Sequence, residues 1–133
     1  MTAQGALTFT KAERVCSRTL VEKLFGGGGS RSAAAFPLRA VWMHVHREAG
    51  EPSAQLLVSV PKRCFKRAVK RNRVKRQVRE AWRKHKHVLH EAMASRPDEK
   101  LVMALIWIDH RLCDTARVER RVAILMERIG EHP

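Results

Sequence analysis

Gln55-Leu-Leu-Val-Ser-Val-Pro61 runs, past Lys62-Arg63-Cys64-Phe65-Lys66, into Arg67-Ala-Val-Lys-Arg-Asn-Arg-Val-Lys-Arg-Gln-Val-Arg-Glu-Ala81. An apolar run stops at a proline, which cannot donate to a sheet ladder, and a basic segment without Gly or Pro follows. The reading is a strand over Gln55 to Val60. A long helix then runs from about Phe65 or Arg67 to Met93, rich in Arg, Lys, Glu and Ala. With Asn72 at 0° and roughly 100° per residue, Val74, Val78, Ala81, Trp82, His85 and Leu89 fall between about 180° and 280°. Asn72, Lys75, Arg76, Arg79, Arg83 and Lys86 fall between about 300° and 40°. One side packs on a sheet, and the other is a ridge of cations.

The net charge is concentrated in the same place. The 133 residues include 27 Lys+Arg against 13 Asp+Glu, a net charge of +14. Between Lys62 and Lys86 stand 13 basic residues and one acid, Glu80, so this window holds +12 of the +14. Ordinary solvated helix faces alternate Lys with Glu at i,i+4, which relieves repulsion. Here the repulsion is unrelieved without a polyanion, and nucleic acid is the usual one.

Working outward, Lys100 to Asp109 is nearly all apolar, as expected of a strand covered on both faces. From Phe36 to Arg47 a strand puts Leu38, Ala40, Trp42, His44 and His46 on one face and Arg39, Val41, Met43 and Val45 on the other. Glu48 to Ser53 reads as a hairpin loop, which makes the 55–60 strand antiparallel to this one. Thr10 and Glu13 form a capping-box pattern opening a first helix, Lys11 to Phe25. Gly26 to Gly29, with Ser30, Ser32 and the alanines, makes a mobile loop. Asp114 or Thr115 caps a last helix, with Val118, Val122, Leu125 and Ile129 at helical spacing. The order is α-β-β-α-β-α. The fold class is α/β: a single domain over 10–133, a small mixed sheet packed on the basic helix as an α+β sandwich, behind a flexible tail at 1–9.

Composition excludes several classes. At 44% hydrophobic and 30% charged residues the chain is globular rather than disordered. No apolar run approaches the ~18 residues of a transmembrane helix, so no membrane partner is expected. Met1 to Leu7 lacks the basic and apolar regions of a secretory signal. Three scattered cysteines, Cys16, Cys64 and Cys113, suit reduced thiols and a cytoplasmic location. Trp82 and Trp107 sit in apolar patterns and belong to the core. Phe25, before the glycines, is placed to stack on a base. His85, His87 and His90 do not share one helical face. His44 and His46 do share a strand face, but no Cys or carboxylate at zinc spacing accompanies them, and nothing marks an acid–base pair. No catalytic residue and no metal ligand is assigned.

The run Ala68-Val-Lys-Arg-Asn-Arg-Val-Lys-Arg-Gln-Val-Arg-Glu80, after a strand ending Ser59-Val-Pro-Lys-Arg63, resembles the bacterial ribonuclease P protein component. That family carries A-V-x-R-N-R-x-K-R-x-x-R-E after a strand ending S-V-S-K-K. The element order matches along roughly residues 10 to 129. Position by position, the motif falls on Arg71, Asn72, Arg73, Lys75, Arg76 and Arg79, and the RNA-contacting set extends to Lys62, Arg63 and Arg83. The resemblance implies a cleft for the single-stranded 5′ leader of precursor tRNA, between this helix, the sheet and the first helix. Phe25, Val21, Ser59, Lys75 and Arg79 then line it, with Arg39, Val41 or Trp42 at the family's cleft tyrosine. Val21 stands where the family has a second aromatic. Pro61 replaces a small polar residue, and one extra residue lies between Arg63 and Ala68.

The family further implies a left-handed crossover through the basic helix. It implies that a catalytic RNA subunit and its Mg²⁺ perform the endonucleolytic removal of the leader. The protein then needs no cofactor of its own, and its partners are that RNA and precursor tRNA rather than DNA. Two rivals are a structural RNA-binding protein using the same stripe, and a metal-independent ribonuclease using His44 or His46.

Overall fold

The computed structural model describes residues 10–15, 17–26 and 28–132; the 1–9 tail lies outside them. A 3₁₀ turn, Lys11–Glu13, precedes helix α1 (Arg18–Gly26). Strands β1 (Arg31–Ala35), β2 (Leu38–His46) and β3 (Ala54–Ser59) follow, then α2 (Ala68–His85), α3 (His87–Met93), β4 (Glu99–Trp107) and α4 (Thr115–Glu131). The sheet order is β1-β2-β4-β3. β1 and β2, and β2 and β4, pair antiparallel, while β3 and β4 pair parallel. The mixed single-sheet architecture expected from the sequence is present.

The main core lies between one sheet face and helices α2, α3 and α4. Leu38, Ala40, Trp42, Leu56, Met103 and Leu105 meet Val74, Val78, Ala81 and Trp82 of α2 and Val118, Val122 and Leu125 of α4 there. On the other face, Val41, Met43, Val102 and Ala104 pack under Val15 and Leu24, with Val21 and Leu57 at the rim. β4 is therefore buried on both sides, as its composition required. Asp114 caps α4, accepting from the Arg117 backbone N–H at 2.7 Å.

Four expectations are corrected. The first helix does not run from Lys11 to Phe25. Thr10 and Glu13 make the capping contact, the Thr10 N–H donating to Glu13 Oε1 at 2.9 Å. The chain then leaves the turn because Arg14 forms a parallel bridge with Leu56, and the Val15 N–H donates to the Leu56 carbonyl at 3.1 Å. Helical structure resumes only at Arg18.

The serine and alanine segment is not loop. Arg31–Ala35 is an edge strand in full register with β2, held also by Arg128 Nη1, which donates to the Ala34 carbonyl at 2.8 Å. Tertiary pairing overrides the weak strand propensity of alanine. Gly28, at φ 72°, supplies the left-handed residue between α1 and this strand.

β2 and β3 are not neighbours, because β4 lies between them. The most apolar strand takes a central place, where both of its faces are covered.

The long helix is interrupted at Lys86. The Lys86 side chain is 3% exposed, and its Nζ lies 2.9 Å from both carboxylate oxygens of Glu13. The residue that the helical wheel placed on the cationic ridge is thus buried. The short α3 then turns Leu89 and Met93 into the core.

Candidate nucleic-acid interface

Helix α2 presents the stripe because its buried positions, Val74, Gln77, Val78, Ala81 and Trp82, follow helical spacing against the sheet. Gln77 Nε2 fixes the rotation of the helix by donating to the Cys113 carbonyl at 3.0 Å and to Thr115 Oγ1 at 3.2 Å. Asn72, Arg73 and Arg76 are exposed, and Arg71, Lys75, Arg79 and Arg83 half-buried. Lys62 and Arg63 are exposed in the turn between β3 and α2. The basic residues singled out here from sequence are therefore exposed or half-buried, with two differences of role.

Arg71 Nη1 donates to the carbonyls of Phe65 and Lys66, each at 2.8 Å. It ties down the segment leading into α2, whose N-cap, Arg67, makes no side-chain cap. Arg83 forks onto Glu80, Nε lying 3.1 Å from Oε2. That hydrogen bond holds the Glu80 carboxyl below its usual range and raises Arg83. The single acid of the window thus moderates one cation. Arg79 is shifted the other way: burial, and then the charge of Arg14, lower its pKa from the usual guanidinium value. Sequence reasoning missed Arg14, which a parallel bridge places beside Leu56 of β3.

The opposite sheet face carries a cleft. A cavity of about 330 Å³ is lined by Phe25, Ser32, Arg39, Val41 and Ile106 among others. Phe25 is 50% exposed at the end of α1. Ser59 pairs with Ile106 and shares its strand face with Leu57. Val21 packs at the rim of the smaller core cluster. Phe25, Val21 and Ser59 are thus on one face, whereas Lys75 and Arg79 stand on α2, which packs on the other face of the sheet. Of the three candidates on β2, Trp42 points the other way: it is buried, and its Nε1 donates to the His132 carbonyl at 2.9 Å. Arg39 and Val41 face the cleft.

Trp82 and Trp107 are fully buried, as their patterns indicated. His44 Nδ1 lies 2.6 Å from Glu99 Oε2, an ion-pair contact that the sequence did not indicate. Antiparallel β2 and β4 bring it together, with the side chains 40% and 35% exposed at the end of the sheet away from Phe25. His85 likewise meets Glu119 at 3.2 Å. His90 contacts Ser53, and its pKa is lowered by burial first and then by Lys86. Among the described residues no three His, Cys, Asp or Glu side chains cluster to hold a metal ion.

These features define a small α/β domain with one cationic helix face and an open cleft on the far side of its sheet. The family model described as Ribonuclease P matches residues 9–129. The Ribonuclease P protein component of Porphyromonas gingivalis is 37% identical over 132 residues, covering 98% of this chain and 92% of that protein. That of Thioalkalivibrio sulfidiphilus is 33% identical over 81 residues, 61% of this chain and 62% of that protein. The fold is similar to the RNase P protein of Thermotoga maritima, with TM-score 0.62, 22% identity and coverage of 87% and 96% of the two chains. The Staphylococcus aureus RNase P protein gives TM-score 0.62 at 17% identity, covering 90% and 96%. The chain belongs to the ribonuclease P protein family, whose place is in tRNA processing.

Proposed function

We propose that this chain is the protein subunit of a ribonuclease P holoenzyme that removes the 5′ leader of precursor tRNA in the cytoplasm. The observation that carries this reading is the cationic face of α2, +12 within one window, in a domain whose other sheet face carries a cleft with a half-exposed aromatic. Arg73, Lys75, Arg76, Arg79 and Arg83, with Lys62 and Arg63, contact phosphates of the catalytic RNA, releasing condensed counterions. Asn72 bonds an RNA group between them, and Arg71 positions the helix start. Arginine suits this because its fork matches two phosphate oxygens. Phe25 stacks on a leader base, with Val21, Ser59, Lys75 and Arg79 bordering the leader's path. The hydrolysis belongs to the RNA subunit and its Mg²⁺; the protein screens RNA–RNA repulsion and positions the substrate.

The His44–Glu99 pair favours one rival, a protein-only ribonuclease. Cleavage of precursor tRNA, with and without a bacterial catalytic RNA, separates the readings. Activity only with the RNA supports the proposal. Activity of the protein alone transfers the chemistry to the histidine pair, and no stimulation in either case leaves a structural RNA-binding protein.

A further inference from the structure

Phe36 is the most exposed aromatic among the described residues, at 54%, yet it stands at the tip of an ordered hairpin rather than in a tail. Two hydrogen bonds bring three segments together there. The Ile108 N–H donates to the Pro37 carbonyl at 3.0 Å, which joins the β1–β2 tip to the end of β4. Cys64 Sγ donates to the Trp107 carbonyl at 3.6 Å, which joins the turn after β3 to the same point. Ile108, 39% exposed, therefore lies beside the tip, and the exposed cations Lys62 and Arg63 stand on the adjoining turn. Exposed Arg111 follows in the loop after β4. Of the two acids in this loop, Asp109 lies 3.8 Å from His110 and Asp114 caps α4. The tip also adjoins the cleft, because Leu38 pairs with Trp107, and Arg39, the next residue, lines the cavity with Phe25.

An exposed aromatic ring among cations has the composition of a surface that takes a base on its face and phosphate at its margin. A second copy of this chain would bring its own cations against Lys62, Arg63 and Arg111, which opposes self-association. We propose that the hairpin tip, Phe36 with Ile108, is a stacking site for a nucleobase of single-stranded RNA, flanked by phosphate contacts from Lys62 and Arg63. The inference rests on the ribonuclease P reading and extends it to a residue outside the leader cleft. The base comes either from the leader of precursor tRNA or from an unpaired segment of the catalytic RNA.

The test compares Phe36→Ala and Phe36→Trp in the full chain. One arm measures affinity for the catalytic RNA. The other measures affinity of the reconstituted holoenzyme for precursor tRNA with a long leader and for mature tRNA. Phe36→Ala should weaken one arm by about tenfold, the loss of one stacked base, while Phe36→Trp retains binding. The salt slope should not move, because no charge is lost. A loss confined to the catalytic RNA arm assigns the base to that RNA, and a loss confined to precursor tRNA assigns it to the leader. Unchanged affinity in both arms, or a change only in self-association, overturns the stacking site. The Arg73, Lys75 and Arg76 triple alanine variant, measured in parallel, reports on the underlying reading. If it loses RNA affinity while Phe36→Ala does not, only the stacking inference fails. A thermal melt confirms that each variant is folded.

Discussion

Replacing Lys86 by methionine should be the most damaging single change among the basic residues, although it lies at the end of the basic window. Lys86 and Glu13 are 3% and 5% exposed, and both carboxylate oxygens lie 2.9 Å from the ammonium. The same carboxylate accepts from the Thr10 N–H at 2.9 Å and from Thr10 Oγ1 at 3.1 Å. Methionine keeps most of the side-chain volume but leaves a buried carboxylate without its counterion. Removing one partner of such a pair costs about 3–5 kcal/mol. For a chain of this size that corresponds to a melting temperature lower by about 10–20 °C. The double variant Glu13→Gln, Lys86→Met leaves no charge at this buried site and should recover at least about half of the loss. Thermal and urea unfolding of the four proteins in one buffer gives the cycle. A Lys86→Met protein that melts within about 2 °C of the parent would refute the buried pair. So would a double variant no more stable than that single variant. The pair ties the turn before α1 to the end of α2.

Three further outcomes are expected. Phe25→Ala should weaken holoenzyme binding of precursor tRNA by about 1–3 kcal/mol and leave mature tRNA unaffected; equal losses for both would give Phe25 a structural role. His44→Ala and His46→Ala should each leave single-turnover cleavage at saturating substrate nearly unchanged, whereas loss of a general acid–base lowers rate about 10²–10⁴-fold. Glu51 is held below its ordinary value of 4.5, chiefly by the Lys100 ammonium at 2.5 Å, and then by the Glu48 N–H. A depressed carboxylate stabilises the fold above its unfolded pKa and loses that effect as pH falls. The melting advantage of the parent over Glu51→Gln should therefore be full at pH 7 and fade below about pH 4.5; an advantage that grows on acidification contradicts the pairing.

How far the sequence could be read depended on how far apart the deciding partners lie. Helix α2 was legible because Val74, Val78, Ala81 and Trp82 repeat at helical spacing without Gly or Pro between them. β4 was legible because continuous apolar sequence leaves no face for solvent. β1 was not, since Ser32 to Ala35 carries no β-branched or aromatic residue and becomes a strand only by pairing with β2. The neighbour of β3 was not legible either, as β4 arrives after two intervening helices. Lys86 illustrates the limit most clearly. Periodicity put it on the cationic ridge, but its partner lies 73 residues away, and no local pattern carries that pairing. At the site, the stripe and Phe25 followed from local sequence. The Arg14–Arg79 approach and the His44–Glu99 pair arise from strand contacts, and so only the fold reveals them.

The central claim is that the exposed face of α2 meets RNA phosphates. Its most direct test is the salt dependence of catalytic RNA binding by the parent and by the Arg73→Ala, Lys75→Ala, Arg76→Ala triple variant. Each phosphate contact contributes roughly 0.7–0.9 to the slope of log K against log salt. The triple variant should bind more weakly at low salt, with a slope shallower by about 2–3, and should melt with the parent because these side chains lie off the buried face. A variant that binds with unchanged affinity and unchanged slope would contradict the account.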